Sequence, residues 1–594
     1  VKLENLFDLI AGSLDTLHIK EFAIEQGRLQ LVNTRDQRVH QVKTGFINVD
    51  GQNFFLDSLA ELDPERFLYA DNITFQIKNY VHQFPDERHT LRLNEMLFNT
   101  RDAGFEASYV HYAASNWADA GFLDRRADAQ NSYDVYIPVV KATGIGLYGL
   151  YMYDSLGMAN MDINNPKLRM LLHRQQAKDP GRLKNLTTDS LYHLVRPAFS
   201  DFNIGSFATS NLSLELAIYE PQDSSHILLN NMDVAVENFE VDSNSYVTDP
   251  RFLHANNLGF VIRDYEFDLP DSIYRFRAGE VGFSTGDSSI FIKGMEVKPR
   301  YSKQEIAQVV GHETDWMRFA SNELRLKGLD FYRLANKGEL DARHLNVHGL
   351  DTYVYRDKRP PEPMNHYPKM PQELIRGAGL YLNIDTLHLY NSRVTYEELA
   401  IGATEPGRIT FEELDTYAFN LTNDAEKLRD RASLQVFAEA SLMGAGNMYA
   451  SFDFPLASKT NAFTYRGRVD KMDLQSLNNM LENVASVKIN SGTGEKLEFE
   501  VKADEEYADG IMKFYYDDLR VSLIDQETKR QGFGKAMTSF IANLLLVKSD
   551  NPRFLFLKRG KIYHPRPVHK SVFNYMAKTL LSGIKHSVGF SNTK

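Results

Sequence analysis

The chain of 594 residues contains no cysteine. Disulfide bonds, thiol nucleophiles and cysteine-ligated metals are therefore excluded. It also has no apolar run close to the roughly 20 residues that cross a bilayer as a helix; the longest, SFIANLLLV, covers residues 539–547. The sequence begins at Val1 rather than at Met, so we expect that an upstream segment, such as a signal or an anchor, has been removed.

Acidic residues are absent after Asp550, where nine lysines and arginines follow, although the whole chain carries a net charge of −12. This asymmetry predicts that the basic C-terminal end contacts a different neighbour from the acidic remainder of the chain, or that it simply forms a solvated basic face. Only 20 residues are proline, whereas aromatic residues make up 12% and hydrophobic residues 43% of the chain. That composition is typical of an ordered, strand-rich protein, and the length favours several structural units.

One stretch of the sequence occurs twice. Residues 66–80, RFLYADNITFQIKNY, return at 251–265 as RFLHANNLGFVIRDY, and the match continues to Asp86 with 10 identities in 21 positions. The offset is 185 positions (251 − 66), and twice that offset places LDTLHI, at 14–19, on IDTLHL, at 384–389. A fixed spacing of this kind predicts stacked units that share a continuous core.

The repeat divides the chain into four predicted segments. Two β repeat units cover 1–185 and 186–370, and the second ends in a proline-rich linker at 357–371. A diverged third unit covers 371–535, and a basic helical segment covers 536–594.

Within each copy the dominant apolar period is two, which places one face of a strand in an apolar environment and the other in water. The inward-facing candidates, which ordinary core packing would explain nearly as well, are Ile73, Phe75, Ile77, Leu258, Phe260, Ile262, Leu387 and Leu389. Turn signals separate the runs at 84–88, 269–272, 284–289 and 490–496. The pattern therefore predicts a mainly β protein built as a long antiparallel meander, whose apolar face needs a second sheet, helices or lipid against it.

Few helices are predicted. Helix-like apolar segments open the copies, and two further segments could be helical in part; these stretches are 6–14, 191–199, 373–382, 302–324 and 427–437. The clearest helix lies near the C-terminus, where Val572, Met576, Leu580 and Ile584 recur every fourth residue. With the basic residues Lys578 and Lys585 close by, this stripe could contact an anionic membrane surface or a membrane partner, or pack against the sheet as a cap.

No motif predicts a catalytic, cofactor or metal site. GIGLYG at 144–149 has the spacing of a dinucleotide loop, but the aromatic LYMYDS that follows predicts a strand where that loop needs a helix. GTGEK at 492–496 predicts a hairpin turn. His344 and His348 fit one strand, where they stand about 13 Å apart, so we expect exposed or paired histidines. Nucleic acid is not an expected partner.

The third unit carries a resemblance to a known family. LYLNIDTLHLYNSRVTYEELAIGATEPGRITFEELDTYAFNLTN, at 380–423, and the stretch from YRGRVDKMDLQSLNN to YYDDLRVSLID, at 465–525, resemble the C-terminal part of AsmA-like proteins. These proteins belong to the AsmA/TamB group of the bacterial envelope, within a wider class of repeating β-groove lipid-transfer proteins. The resemblance implies strands rolled into an elongated U-shaped groove that holds acyl chains, and an inner-membrane anchor formed by an N-terminal helix that is missing here.

The resemblance and the pattern together predict a non-enzymatic, periplasm-facing protein without cofactors. Its expected partners are phospholipid or another acyl lipid, the membrane and envelope proteins, and it would conduct lipid between the inner and outer membranes. The alternative is an assembly or structural factor for outer-membrane proteins, whose groove shelters polypeptide. A third possibility is an enzyme that acts on envelope glycans.

Overall fold

The computed structural model describes residues 13–33, 40–57, 67–84, 89–114, 131–173, 199–219, 224–242, 251–270, 273–363, 367–430, 432–524, 547–553 and 556–589. The predicted helices at 6–14 and 191–199 lie almost wholly outside these residues. The described chain forms two compact units. Unit 1 comprises Val1–Arg263 with Gly282–Asp287, and unit 2 comprises Asp264–Val281 with Ser288–Lys594.

The described residues of unit 1 lie almost entirely in strands, in which β-branched and aromatic residues alternate with polar ones. Among these residues, one short helix, α1 (Leu147–Tyr153), and two 3-10 turns, at Phe67–Tyr69 and Phe252–His254, interrupt the strands. The strands are β1 (Leu17–Gly27), β2 (Gln30–Asn33), β3 (His40–Lys43), β4 (Phe46–Leu56), β5 (Asn72–Gln83), β6 (His89–Asn99), β7 (Gly104–Ala114), β8 (Ser132–Thr143), β9 (Ser155–Asn164), β10 (Lys167–His173), β11 (Asp201–Tyr219), β12 (Ser224–Val241) and β13 (Asn257–Asp268), the last of which continues into unit 2.

Unit 2 continues the strand pattern and adds short helices. Its strands are β14 (Tyr274–Ser284), which ends in unit 1, β15 (Ser289–Pro299), β16 (Asp315–Lys327), β17 (Leu340–His348), β18 (Asp351–Asp357), β19 (Leu382–Leu399), β20 (Gly407–Thr422), β21 (Ser433–Leu442), β22 (Gly446–Pro455), β23 (Phe463–Val469), β24 (Met472–Asp473), β25 (Val487–Ala503), β26 (Tyr507–Leu523) and β27 (Arg559–Pro565). The α-helices among its described residues are α2 (Ile306–Val310), α3 (Phe331–Lys337), α4 (Pro371–Arg376), α5 (Ala425–Arg429), α6 (Asn478–Met480) and α7 (Val572–Val588), and Leu474–Leu477 and Leu481–Ala485 form 3-10 and π turns. The predicted mainly β class, the mostly antiparallel meander, the few short helices and the C-terminal helix are confirmed.

Most neighbouring strands are sequential and antiparallel, from β4 to β9 in unit 1 and from β19 to β23 in unit 2. Each unit also contains a split position, where two short strands together fill the place of one long strand. In unit 1, β9 and β10 both pair antiparallel with β8 and parallel with β11. In unit 2, β17 and β18 are arranged in the same way between β16 and β19.

The repeat seen in the sequence is also present in the backbone. The first and last residues of β5, β6 and β7 recur, at the offset of the sequence repeat, as the first and last residues of β13, β14 and β15. The register agrees as well, because Leu17 pairs with Leu56 in β1–β4 and their equivalents, Phe202 and Val241, pair in β11–β12. The duplication therefore preserves strand lengths and pairing in addition to apolar character.

Left-handed backbone positions repeat at the same spacing. Residues with positive φ are uncommon outside glycine and mark bends or bulges in strands. Seven pairs of such residues are equivalent in the repeat: Gln26 and Asn211, Asn53 and Asn238, Leu68 and Leu253, Tyr69 and His254, Asn79 and Asp264, Ala103 and Ser288, and Tyr109 and Gly294. Leu68 (φ 54°) and Leu253 (φ 51°) have no side chain that favours this conformation, so their recurrence identifies a bend that belongs to the repeat unit.

Two local predictions are wrong. The predicted turn at 490–496 lies inside β25, a strand of 17 residues. The strand absorbs the glycines as irregularities, with register shifts on either side of Ser491 and φ 146° at Gly492. Pairing with β26 along the whole segment outweighs the local turn preference.

The predicted strand after GIGLYG is also wrong, because residues 147–153 form α1. The glycines serve close packing: Gly144 adopts φ 66° beside Ala159, and Gly146 N donates to Gly157 O at 2.8 Å. β8 and β9, on either side of α1, run antiparallel, whereas a dinucleotide fold requires parallel strands there. The nucleotide interpretation therefore gains no support from the helix.

The partly helical predictions fit in part. Within 302–324 only α2 is helical and β16 begins at Asp315, and within 427–437 helix α5 ends at Arg429 before β21 begins. Within 373–382 the helix is α4, which ends at Arg376. Turns at 269–270 and 285–288 separate consecutive strands as predicted.

Candidate functional site

An unbroken apolar row crosses ten strands of unit 1. Each residue of this row lies directly opposite the next one on the neighbouring strand, so the side chains stand on one face. Row A consists of Ile24, Val49, Phe75, Phe98, Phe105, Ala142, Met161, Phe207, Val236 and Leu258. At about 4.8 Å between strands, the row is about 43 Å long.

A second row runs beside the first, two residues further along each strand. Row B consists of Ile47, Ile77, Met96, Ala107, Val140, Ile163, Thr209, Val234 and Phe260. Thr209 is its only polar member. Rows A and B together form a surface that we call the apolar face of unit 1.

The opposite face of the same strands is polar. There Asn48 Nδ2 donates to Gln76 Oε1 at 2.8 Å, and Lys141 Nζ lies 3.0 Å from Glu106 Oε2. Leu97, 40% exposed, is an apolar exception on this face, opposite Gln76. The sheet of unit 1 is therefore amphipathic, as its alternating sequence predicts.

The apolar face is only partly covered. Within row A, Ala142 is buried and Ile24 is 52% exposed, and the other eight residues are half-buried. The buried clusters among the described residues of unit 1 are small, the larger being Ala113, Ala114, Leu171 and Ala217. Side chains of a sealed β core normally lose nearly all their exposure, so this face has the character of a lining.

The predicted groove residues fall on this face in unit 1. Phe75 and Leu258 belong to row A, and Ile77 and Phe260 to row B. Ile73, which lies opposite Gly51 one step further along β5, is 4% exposed.

The remaining predicted groove residues are placed differently. Ile262, opposite Met232, is also 4% exposed. In unit 2, Leu387 packs against the large C-terminal core, and Leu389 lies between Val347 and Thr416.

Phe75 and Phe260 have equivalent surroundings. The Phe75 ring lies 6.2 Å from that of Phe98, and the Phe260 ring lies 5.8 Å from that of Phe283. Phe98 and Phe283 follow their partners at the same separation along the chain, so the aromatic pair is part of the repeat unit. Such pairs add about 0.5–1.5 kcal/mol beyond the area that they bury.

In the C-terminal part of unit 2 the chain itself covers the apolar face. Leu387, Ala418, Val436, Phe452, Tyr465 and Val501 form a row across six strands. The row lies in or against a cluster that runs from Met370 to Val588 and includes the fully buried Met512 and Ile562. Here the strand pattern has produced a closed core.

Helix α7 is one of the elements that close this core. Its most buried residues are small or aromatic, namely Tyr575, Thr579, Gly583 and Ser587. A Cβ on Gly583 would come within 2.7 Å of the Ile562 side chain, so glycine allows the helix to approach β27 closely. The apolar period of the sequence did not reveal this small-residue stripe.

The predicted stripe of α7 flanks the close contact. Val572 is buried, and Met576, Leu580 and Ile584 pack against the core, which is the arrangement of the predicted cap. Lys578 and Lys585 are exposed, as is Phe573, which retains 75% of its accessible surface.

Side chains of α7 also accept hydrogen bonds from backbone N–H groups on the edge of β27 that faces away from β26. The backbone N–H of Tyr563 donates to Ser582 Oγ at 3.2 Å, and that of Lys561 donates to His586 Nδ1 at 3.0 Å. An exposed strand edge invites pairing with other chains, and these two side chains occupy the positions where such a strand would bind.

Unit 2 contains a half-buried ionic cluster that has the charged groups of an active site. Glu397, 3% exposed, accepts from Tyr353 and Lys303 and pairs with Arg408 at 2.6 Å. Burial alone would raise the pKa of Glu397, but these donors outweigh it and lower the pKa. Lys303 Nζ also stands 4.1 Å from the centre of the Tyr353 ring. Because every charge is paired internally, the arrangement serves to hold β18, β19 and β20 together.

A concavity of about 820 Å³ lies on the open face of β20–β27. Its lining combines partly exposed aromatic residues, Tyr417, Phe437 and Tyr449, with charged residues of both signs, such as Arg466 and Glu500. The lining is therefore neither apolar nor of one charge.

The described residues contain no group of three or more His, Asp or Glu side chains placed to hold a metal ion. His344 and His348 lie in β17 as predicted; His344 Nδ1 is 2.7 Å from Thr386 Oγ1, and His348 stacks on Tyr390. In the same described part of the chain, no helix is long and apolar enough to cross a membrane. Comparison with known proteins gives no relative, because no family model and no curated protein matches the chain significantly.

Proposed function

We propose that this chain is a non-enzymatic, AsmA-like protein of the bacterial envelope that binds phospholipid on the apolar face of unit 1 and conducts it between the inner and outer membranes. Its place is the periplasm, with an anchor in the inner membrane. The observation that carries the proposal is row A, in which ten neighbouring strands each present an apolar residue and nine of these residues stay partly accessible.

A lipid conduit requires an uninterrupted apolar surface more than it requires a closed pocket. An acyl chain gains about 0.8 kcal/mol for each CH₂ group that leaves water, so one polar row across its path would form a barrier. Rows A and B offer no charged residue from β4 to β13. At about 43 Å, row A is longer than the roughly 30 Å hydrocarbon core of a bilayer.

The polar face of the sheet supports the same interpretation. Water requires hydrogen-bonding partners, which the Gln76 and Lys141 face provides, while the acyl chains lie on the apolar face and the head groups attached to them stay at the open edge of the groove. A sheet with one apolar and one polar face can stay soluble only when its apolar face is occupied, and phospholipid is the occupant that we propose.

The first test is the content of the purified protein. The chain is expressed in a diderm bacterium, purified without detergent, extracted with organic solvent and examined by mass spectrometry. We expect phospholipid at a reproducible molar ratio to protein. Purified, folded protein that carries no lipid would contradict the proposal.

The second test places a charge on each face. Phe75→Glu and Phe260→Glu introduce a carboxylate into rows A and B, and we expect both variants to fold but to lose bound lipid. Leu97→Glu adds the same charge on the polar face, one residue from Phe98, and should load normally. If Phe75→Glu unfolds the protein instead of emptying it, the face is a sealed core and the proposal fails.

A further inference from the structure

The concavity on the open face of β20–β27 is built from two adjacent rows of side chains. In each row every residue lies directly opposite the next one on the neighbouring strand, so both rows stand on one face. Row C consists of Tyr417, Phe437, Ser451, Arg466, Glu500 and Ile511, and row D of Asp415, Glu439, Tyr449, Arg468, Glu498, Lys513 and Arg559. All of these residues line the concavity. The strand register therefore determines which groups are neighbours there.

Strands β20, β21 and β22 supply aromatic and acidic side chains to the two rows, and no basic one. Glu439 follows Phe437 by two residues on β21, Tyr449 lies directly opposite Glu439 on β22, and Tyr417 lies opposite Phe437. The three rings keep 36–47% of their accessible surface. Glu439 is exposed and makes no ion pair within the described part of the chain. A carboxylate among exposed aromatic rings favours a cation, through its charge and through cation–π contact.

The next strand, β23, supplies two arginines, and both guanidinium groups turn towards β22. Arg466 Nε donates to Ser451 Oγ at 3.1 Å, and Arg468 Cζ lies 4.5 Å from the centre of the Tyr449 ring. Glu500 lies directly opposite Arg466 on β25, yet neither of them forms an ion pair with a described residue. The remaining N–H donors of Arg466 are therefore left for an anion, next to the aromatic and acidic side chains.

Glu439 and Arg466 are the least engaged charges on the two sides of β22. Arg468, in contrast, pairs with Asp470 at 2.9 Å. Glu439 and Arg466 are two strands apart, about 10 Å across the sheet, and the turn of Arg466 towards β22 brings its guanidinium closer to Glu439. One small dipolar ligand can therefore contact both.

We propose that this concavity binds the zwitterionic head group of a phospholipid, with its ammonium group between Glu439 and the aromatic rings and its phosphate at Arg466. A polyanion would meet Glu439, and an acyl chain would meet charges of both signs, whereas a ligand with one charge of each sign satisfies both strands. The volume of the concavity is typical of small-ligand sites. The ligand chemistry is inferred from unit 2 alone, but the choice of a phospholipid over a free compound rests on the proposed function.

The first test titrates three soluble probes against the full chain by ligand-detected NMR. Glycerophosphoethanolamine carries both charges, whereas glycerol phosphate and ethanolamine carry one each. We expect saturable binding of glycerophosphoethanolamine and at least tenfold weaker binding of the other two. Equal binding of glycerol phosphate and glycerophosphoethanolamine, or no binding of the latter, would overturn the proposal.

Two variants assign the two charges of the ligand to their partners. Arg466→Gln and Glu439→Gln should each weaken the binding of glycerophosphoethanolamine about tenfold. Glu439→Gln should also abolish its advantage over glycerol phosphate, and Arg466→Gln its advantage over ethanolamine. Arg520→Gln and Glu495→Gln remove the same charges from β26 and β25 outside the concavity and should leave binding unchanged. Equal losses in all four variants would contradict the assignment.

Vesicles distinguish a lipid head group from a free compound. Vesicles of phosphatidylethanolamine and phosphatidylglycerol should displace the soluble probe, and vesicles of phosphatidylglycerol alone should not. Displacement by neither would identify a free zwitterion as the ligand, and displacement by both would identify an anionic surface; either result would overturn the proposal. A chain that is purified with lipid but does not bind the probe would refute this site and leave the conduit standing. Probe binding by a chain purified without lipid would do the reverse.

Discussion

Unit 1 and the C-terminal part of unit 2 share the same alternating strand pattern, but it forms a partly exposed apolar face in unit 1 and a closed core in the C-terminal part. In unit 1 row A keeps eight half-buried residues in ten, and the larger buried cluster has four members. In the C-terminal part, the corresponding cluster has 23 members and several, such as Val501 and Met512, have no exposure. Alternation therefore decides that a face is apolar, and the elements packed on that face decide whether it becomes core or lining.

The most direct test of this difference is to replace one isoleucine by alanine in each region. Ile562→Ala removes a fully buried side chain from the closed core and should lower the free energy of unfolding by about 2–5 kcal/mol. Ile77→Ala, at a half-buried position of row B, should cost only on the order of 1 kcal/mol, because less surface leaves an apolar environment. Urea denaturation measures both, and equal losses would mean that unit 1 is sealed in the same way.

Removing the N-terminal cap of α7 should have a smaller effect on stability, and it tests the role of this helix in closing the core. Ser571 caps this helix by accepting a hydrogen bond from the backbone N–H of Asn574. Ser571→Ala should destabilise the C-terminal part by about 1 kcal/mol, whereas Ser571→Asp, which retains an acceptor, should not. The measurement is the urea midpoint followed by a probe in this part of the chain, and unit 1 should be unaffected. A loss of stability spread over both units would contradict a local cap.

The smallest expected effect depends on pH. Burial, reinforced by Lys578 and Lys585, lowers the pKa of His564 below its ordinary value of 6.5. The unfolded chain therefore takes up the proton first, so stability should fall as the pH drops below about 6.5, and the loss should stop once the folded state is protonated.

His564→Gln removes the contribution of this histidine to the pH dependence of stability and leaves the other titrating groups in place. Thermal melts between about pH 8 and pH 5 should show a shallower decline for the variant than for the parent chain. The histidine ring lies 6.5 Å from that of Tyr575 on α7, so the difference between the two declines reports on a group in the closed region. Parallel curves for the two proteins would show that His564 is not coupled to folding.

The sequence predicts the features that depend on local periodicity. The β class and the helix around Met576 follow from apolar spacing, the repeat and the equivalence of Phe75 and Phe260 follow from identities at one offset, and each is present. The bends at Leu68 and Leu253 lie inside the repeated stretch, but they could not be predicted because leucine has no preference for the left-handed backbone conformation.

Features that depend on distant neighbours were not predictable in this way. The parallel pairing of β9 with β11 joins strands separated by residues 165–200, and no local pattern specifies it. The strand through Ser491 persists because β26 pairs along it, against its own turn preference. Gly583 packs closely against Ile562 of β27, so its role becomes visible only when that strand is in place.

The two side-chain bonds that α7 makes to the edge of β27 also have an evolutionary consequence. Duplication can lengthen a meander by inserting whole units between existing strands, as the matching bounds of β5–β7 and β13–β15 record. It cannot do so beyond β27, because Ser582 and His586 already use the amides that a new strand would need. A strand added at this edge would therefore have to displace α7, so the same contacts that help to close the core also limit growth of the sheet on this side.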